Sequence, residues 1–321
     1  MLIHIAHFTI NDHKHWGIVE NNQLLKLNQS YTTTAELLTD KQTILAMSNE
    51  QKAQLDKFKI ADVAFLSPVT GNKRVVCQGA NYRQHMIESG FDPDTKSYNM
   101  FFNKSSASIC SAEDKIIKPE HVSLLDYEIE LGLVIGKNID KETLINAENL
   151  SEYIGGIVIA NDVSARDVQI PETQFFKGKS YRTFCPVGPY LCLLDHDNAH
   201  YLDLLNLELK VNGETRQKDN TENLVFKPAE TLSELSSFSD LDIGDLVLTG
   251  TPSGCALQIP SPGIVRLFSL LPESLRWSLF KKVQGKRSEY LQSGDQIEAT
   301  IFSVDGDINL GFQRNKITSI S

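Results

Sequence analysis

The sequence predicts an α+β, β-rich fold of mixed or antiparallel sheets with a small N-terminal domain, and three observations carry that expectation. Short strand-like runs recur along the chain: "RVVCQG", "YEIELGLVIG", "IGGIVIAND", "GPYLCLL", "LELKVNG", "DLVLTGTP" and "DQIEATI". Gly, Pro, Asn and Asp turns separate them in place of regular helices, so a repeating βαβ pattern is absent. A polar, helix-favouring stretch lies near the N-terminus, ahead of Pro68 and Gly71.

Taken in order, residues 1 to about 30 read as short strands, with "HWGIVENNQLLKL" alternating apolar and polar around Asn21-Asn22. "TTAELLTDKQTILAMSNEQKAQLDKF" follows with Leu, Ile and Ala at helical spacing. "FLSPVTGNKR" then marks a boundary, giving a small α/β domain over 1–70 and a catalytic domain over 71–321. In the second part, Asn212-Gly213 in "KVNGET" is a strong hairpin-turn signal.

Composition narrows the function. The chain has 321 residues, 41% hydrophobic and 22% charged, which suits a globular protein without long disorder. A net charge of -10 repels a phosphate backbone, so nucleic acid is not an expected partner. No run approaches the roughly eighteen apolar residues of a membrane span. "MLIHIAHFTIND" lacks the basic region of a signal peptide. Five cysteines, an odd number without a C-x-x-C pair, fit a reducing cytoplasm. Neither a G-x-G-x-x-G nor a G-x-x-x-x-G-K-[ST] phosphate loop is present.

The sharpest local feature is "DYEIELGLVIG", where Glu128 and Glu130 stand two apart in a strand-like run. Such residues share a face with Cα atoms about 6.6–6.8 Å apart, so two carboxylates can converge on one ion. Spacing alone favours the plainer reading, a strand with Ile129 and Leu131 inward and both glutamates in water. Asp162, after the apolar run of "GGIVIANDVSARD", is a third candidate ligand. Oxygen-only ligation suits Mg²⁺ or Mn²⁺, with Ca²⁺ as a substitute, better than Zn²⁺.

Other segments carry possible chemistry beside plainer roles. In "NYRQHMIESG", His85 and Glu88 are a helical turn apart, so Glu88 could orient His85 as a general base; a solvated surface pair is the plainer alternative. Lys179 offers a fixed positive charge to a developing enolate, or is one more surface lysine. Arg166 and Gln169 in "SARDVQ" are candidate carboxylate binders, with a structural salt bridge an equal alternative for Arg166. The "LTGTPSG" loop marks a tight turn or a close backbone approach to a ligand.

As an ordered set, "GANYRQHMIESG", "FFNKSSASI", "DYEIELGLVIG", "GGIVIANDVSARDVQ", "GKSYRTFCPVGPYL", "VNGETRQKDNTENLVF", "LDIGDLVLTGTPSG" and "SGDQIEATI" closely resemble the fumarylacetoacetate hydrolase family over roughly residues 70 to 315. The resemblance implies mixed sheets rolled into a barrel-like sandwich, and a homodimer. It implies Glu128, Glu130 and Asp162 as ligands of Mg²⁺ or Mn²⁺, and Lys179 as the active-site lysine. Arg166, Gln169, Thr251 and Tyr82 would then line the substrate site, and His85 with Glu88 would form a catalytic pair on a lid. The function implied first is hydrolysis of a carbon–carbon bond in a small diketo acid such as an acylpyruvate or fumarylpyruvate. The alternative is decarboxylation, hydration or isomerisation of a 2-oxo acid such as oxaloacetate on the same metal site. A non-catalytic scaffold retaining the fold is the third reading.

One departure from the family pattern stands out. After "TGTPSG" the chain inserts about forty residues, Cys255 to Ser293. Within it, "LPESLRWSLFKKVQGKR" places Leu271, Leu275, Leu279 and Val283 at helical spacing. The segment is expected to be a helix packed on its own domain, with shaping of the substrate entrance, a dimer contact or an anionic surface as alternatives.

Overall fold

A computed structural model of the chain describes residues 2–319 other than 260–262, 264–267 and 269. Its main element is a thirteen-stranded sheet. The principal path runs Lys57–Lys59, Gln23–Lys26, His13–Glu20, Ile3–Ile10, Tyr190–Leu193, Ile154–Asn161, Ile129–Ile135, Leu246–Leu248, Val75–Gly79 and Met100–Lys104. A five-stranded sheet and a two-stranded one complete the β-structure among the described residues. Most pairs are antiparallel, but Leu246–Leu248 runs parallel to Val75–Gly79 and Cys185–Val187 parallel to Ile109–Ser111, so the sheet is mixed.

The expected barrel-like closure is not found. The long path ends at Lys57–Lys59 on one side and Met100–Lys104 on the other, and these edges do not pair. The five-stranded sheet is likewise open, from Glu214–Asn220 to Ile116–Lys118. Closing a barrel requires the edge strands to hydrogen-bond. Here one edge is three residues long with exposed Lys57 and Lys59, a short charged edge of the kind that stays unpaired.

Turn chemistry explains the local register. Asn21 and Asn22 adopt φ 50° and 60° between the paired residues Glu20 and Gln23, as a tight hairpin requires. Asn212 and Gly213 do the same between Val211 and Glu214. The helix-favouring stretch divides into Thr34–Thr39, Lys41–Leu45 and Asn49–Ala53, with Thr33 and Ser48 accepting the N-terminal amides of Glu36 and Gln51. In the small N-terminal domain, Ile3 pairs with Leu193, so its strands extend the large sheet.

The centre of that sheet is buried on both faces. Leu131, Leu133, Ile157 and Ile159 enter one core, and Val134, Val158 and Ala160 the other. Each of these Leu, Ile and Val side chains contributes about 1.5–3 kcal/mol by leaving water. All seven residues of Ile129–Ile135 are buried, which overturns the reading of Glu130 on a wet face. The paired strands form a rigid platform, and the site stands at their ends.

The stretch Cys255 to Ser293, expected to be an insertion, contains a helix, Glu273–Gln284, but not with the expected stripe inward. Leu275 and Val283 are exposed, while Phe280 packs on the main core and Gln284 is buried. Gln284 donates to Gln258 O at 2.8 Å and accepts from the Tyr290 hydroxyl at 2.9 Å. Polar anchoring, which hydrophobic spacing does not report, sets the face of this helix. Among the described residues no helix is long and apolar enough to cross a membrane.

Candidate active site

Antiparallel register brings the acidic residues together. Ile129 lies opposite Asn161, and the Asp162 amide donates to Glu128 O at 2.8 Å, so the two carboxylates meet across one strand pair. Glu130 follows two residues on and shares that face. Carboxylate oxygens of Glu128, Glu130 and Asp162 lie within 4.8 Å of one another, and all three residues are buried.

Three cations surround the cluster. Lys179, at the end of Phe175–Lys179, donates to Glu128 Oε2 at 2.7 Å and Asp162 Oδ2 at 2.6 Å. Lys104 donates to Asp162 Oδ1 at 2.5 Å and Val163 O at 3.1 Å. Arg166, which begins the helix Arg166–Glu172, gives Nη2–H to Glu128 Oε1 at 2.5 Å, Nε–H to Asp126 Oδ2 at 2.9 Å and Nη1–H to Gln169 Oε1 at 2.9 Å. Two of its five N–H groups stay available for a ligand. Burial opposes ionisation of Glu128, but Lys179 and Arg166 overcome it and hold the carboxyl well below the usual range. Burial likewise opposes the charge on Lys179, yet Asp162 and Glu128 outweigh it and raise the ammonium pKa.

Glu130 is different. Its Oε2 accepts from the Gly250 amide at 2.7 Å, and the structure shows no cation bonded to it among the described residues. Burial, with Asp162 and Glu128 adding to it, pushes its pKa well above the carboxylate range. A buried oxygen-only set with one carboxylate that no cation bonds among the described residues fits a hard divalent cation, which Glu128, Glu130 and Asp162 would hold.

The "TGT" loop closes this side. Gly250 has φ +92°, and a Cβ there would lie 2.9 Å from Asn81 Cβ and 3.1 Å from Gln78 O, so glycine is required. Thr251 Oγ1 donates to Ile129 O at 3.0 Å and accepts from Gln217 Nε2 at 2.8 Å, which commits its proton to the protein.

A cavity of about 510 Å³ opens onto the cluster. His85, Glu88, Glu128, Glu130, Arg166, Gln169, Lys179 and Thr251 all reach its wall. Tyr82 does not line it: the ring is fully buried in the core, and its hydroxyl has no hydrogen-bond partner among the described residues. His85 and Glu88 share the helix Arg83–Glu88, but no hydrogen bond joins them among the described residues; Glu88 Oε1 accepts from Gln84 at 3.3 Å instead. Burial lowers the His85 pKa and Arg166 acts in the same sense, against the field of Glu128, so the imidazole is neutral near pH 7.

Two participants were missed in the sequence. Met100, Phe102 and Lys104 lie two apart on one strand, and the first two line the cavity, so period-two spacing already put Lys104 on the site face. Asp126 stands two residues before Glu128; its carboxylate binds Arg166 and accepts the amides of Ala256 and Leu257 at 2.8 and 3.0 Å. It fastens the cavity wall to the arginine.

Buried acids at the ends of paired strands, with lysine and arginine set among them, define an enzyme class built around a candidate metal site. The chain belongs to the fumarylacetoacetate hydrolase family, whose "Fumarylacetoacetate (FAA) hydrolase C-terminal" region matches residues 74–318. Oxaloacetate tautomerase YisK of Bacillus subtilis is 36% identical over 211 residues, 65% of this chain and 68% of that protein. The mitochondrial oxaloacetate tautomerase Fahd2a of Rattus norvegicus is 36% identical over 227 residues, 70% of each. Among solved structures, fumarylacetoacetate hydrolase from psychrophilic Exiguobacterium antarcticum superposes with TM-score 0.76 at 27% identity, covering 99% of this chain and 100% of that one.

Proposed function

We propose that the protein is a divalent-metal-dependent tautomerase or isomerase of a small 2-oxo acid, moving a proton between the carbon beside the oxo group and the oxo oxygen. The observation that carries this reading is the buried Glu128, Glu130 and Asp162 cluster with Lys179 between two of its members, beside a cavity that also holds a neutral imidazole. The two oxaloacetate tautomerases at 36% identity support it over carbon–carbon hydrolysis, the function expected first from the sequence. The absence of a His85–Glu88 hydrogen bond among the described residues also weakens the case for a pair activating water.

A divalent cation on the three carboxylates would supply Lewis-acid polarisation of the oxo group. The chain's residues do the rest. Arg166 binds the substrate carboxylate through its two remaining N–H groups, with Gln169 alongside. Neutral His85 takes the proton from C3; the C3–H electrons form the C2=C3 bond, and the oxo oxygen gains the charge. Lys179 has one N–H beyond its bonds to Glu128 and Asp162, and offers it to that oxyanion. The protonated His85 returns that proton to the oxygen, which gives the enol and restores the neutral imidazole.

The test is to mix Mg²⁺-loaded protein with a 2-oxo acid enriched in its enol form, oxaloacetate among them, and follow decay of the enol absorbance alongside release of pyruvate. Faster equilibration without pyruvate is expected. Stoichiometric pyruvate from a diketo acid or from oxaloacetate would instead establish bond cleavage.

A further inference from the structure

The cavity is chemically divided. Its ammonium and guanidinium groups, Lys179 and Arg166, are both buried and both bound to Glu128, which makes theirs the inner end. The apolar wall begins beside them: the Phe102 ring lies 5.4 Å from Lys179 Nζ, and Phe175 meets Phe102 edge-on at 5.1 Å. Phe91, Met100, Ile170, Leu257 and Ile259 add apolar lining, with Ser89 and Gln258 as neutral polar groups among them, and the exposed Phe91 and Ile259 stand on the outer side. The carboxylate of Glu88 is the further acidic group on the wall, and no lysine or arginine besides Lys179 and Arg166 lines it among the described residues. A second substrate carboxylate placed there would meet no cation among the described residues and would face Glu88. The volume of about 510 Å³ falls in the range that encloses a drug-sized ligand, beyond what a four-carbon acid fills. Such a small dicarboxylate keeps both charges near the inner cations and leaves the apolar wall uncovered.

We infer that the outer half of the cavity is a binding site for an uncharged, apolar tail, so that the preferred substrate is a 2-oxo acid with a single carboxylate at the inner end and a hydrocarbon or aryl chain beyond it. This rests on the 2-oxo acid reading above and adds the substrate class. Phe91 is the most accessible specificity-determining position, because it is 45% exposed and its replacement leaves the core intact.

Calorimetric titration of the Mg²⁺-loaded full chain with three acids tests it: pyruvate, which has no tail, 2-oxohexanoate, and 2-oxohexanedioate, which has the same carbon chain ending in a second carboxylate. The expected order has 2-oxohexanoate binding about tenfold more tightly than either of the others. Phe91→Ala should weaken 2-oxohexanoate and spare pyruvate, and Phe91→Arg should narrow or reverse the gap to the diacid. Equal or tighter binding of the diacid by the unsubstituted protein, or no gain of 2-oxohexanoate over pyruvate, would overturn the inference while pyruvate binding preserves the 2-oxo acid reading. Failure of all three acids to bind would overturn both.

Discussion

Lys179 holds Glu128 and Asp162 at once, with Nζ 2.7 Å from one carboxylate and 2.6 Å from the other. The ammonium is fully charged there, and it lines the cavity as well. It therefore has an N–H to give to charge that develops on the substrate. Replacing Lys179 by Met removes that donor while leaving all three acids. Turnover should fall about 10²–10³-fold with Mn²⁺ binding retained. Steady-state rates beside a metal titration decide this, and near-normal turnover would dispose of the role.

Asp126 ties the arginine to the cavity wall. Its carboxylate accepts from Arg166 Nε and from the amides of Ala256 and Leu257. Asp126→Asn leaves Arg166 one carboxylate short in a buried setting, so a loss of about 3 kcal/mol is expected in denaturant unfolding. The apparent affinity for a 2-oxo acid should weaken more than turnover. An unchanged unfolding midpoint would show that the bond network is not maintaining this wall.

Gly250 combines φ +92° with a backbone amide aimed at Glu130. In Gly250→Ala the new methyl meets Asn81 and the amide shifts. A stability loss of about 1–3 kcal/mol is expected, together with weaker metal binding. If unfolding and metal titrations both match the unsubstituted protein, the loop is more tolerant than its geometry indicates.

In the proposed reaction His85 is the base, a role open to it only when neutral. Burial, reinforced by Arg166, lowers its pKa from the ordinary value of 6.5, so the neutral form persists below that pH. As pH falls through the lowered value the ring gains a proton and the rate declines. The acidic limb of the pH–rate profile should therefore lie below 6.5 and vanish in His85→Gln, whose residual rate is flat across that range. A limb at or above 6.5, or one that survives the substitution, would assign the base elsewhere.

Much of this site was legible as period-two spacing. Glu128 and Glu130 share a face, and the same rule on the strand Met100–Lys104 puts Lys104 behind Met100 and Phe102. What spacing could not say was whether that face was wet: burial on both sides of Ile129–Ile135 depends on cores assembled from distant segments. The sharing of Arg166 among Asp126, Glu128 and Gln169 joins residues up to 40 positions apart, and no local pattern reports it. Open edges likewise follow from strand order, which the hairpins at Asn21 and Asn212 do not fix. The 273–284 helix was placed correctly, but its orientation turns on Gln284 and its polar partners.

The most direct measurement is a calorimetric titration of chelator-stripped protein with Mn²⁺, run beside Glu130→Gln. One ion per chain should bind, and the substitution should abolish binding because it removes the carboxylate that no protein cation bonds among the described residues. No binding to the unsubstituted chain, or equal binding after Glu130→Gln, would contradict a metal centre formed by Glu128, Glu130 and Asp162.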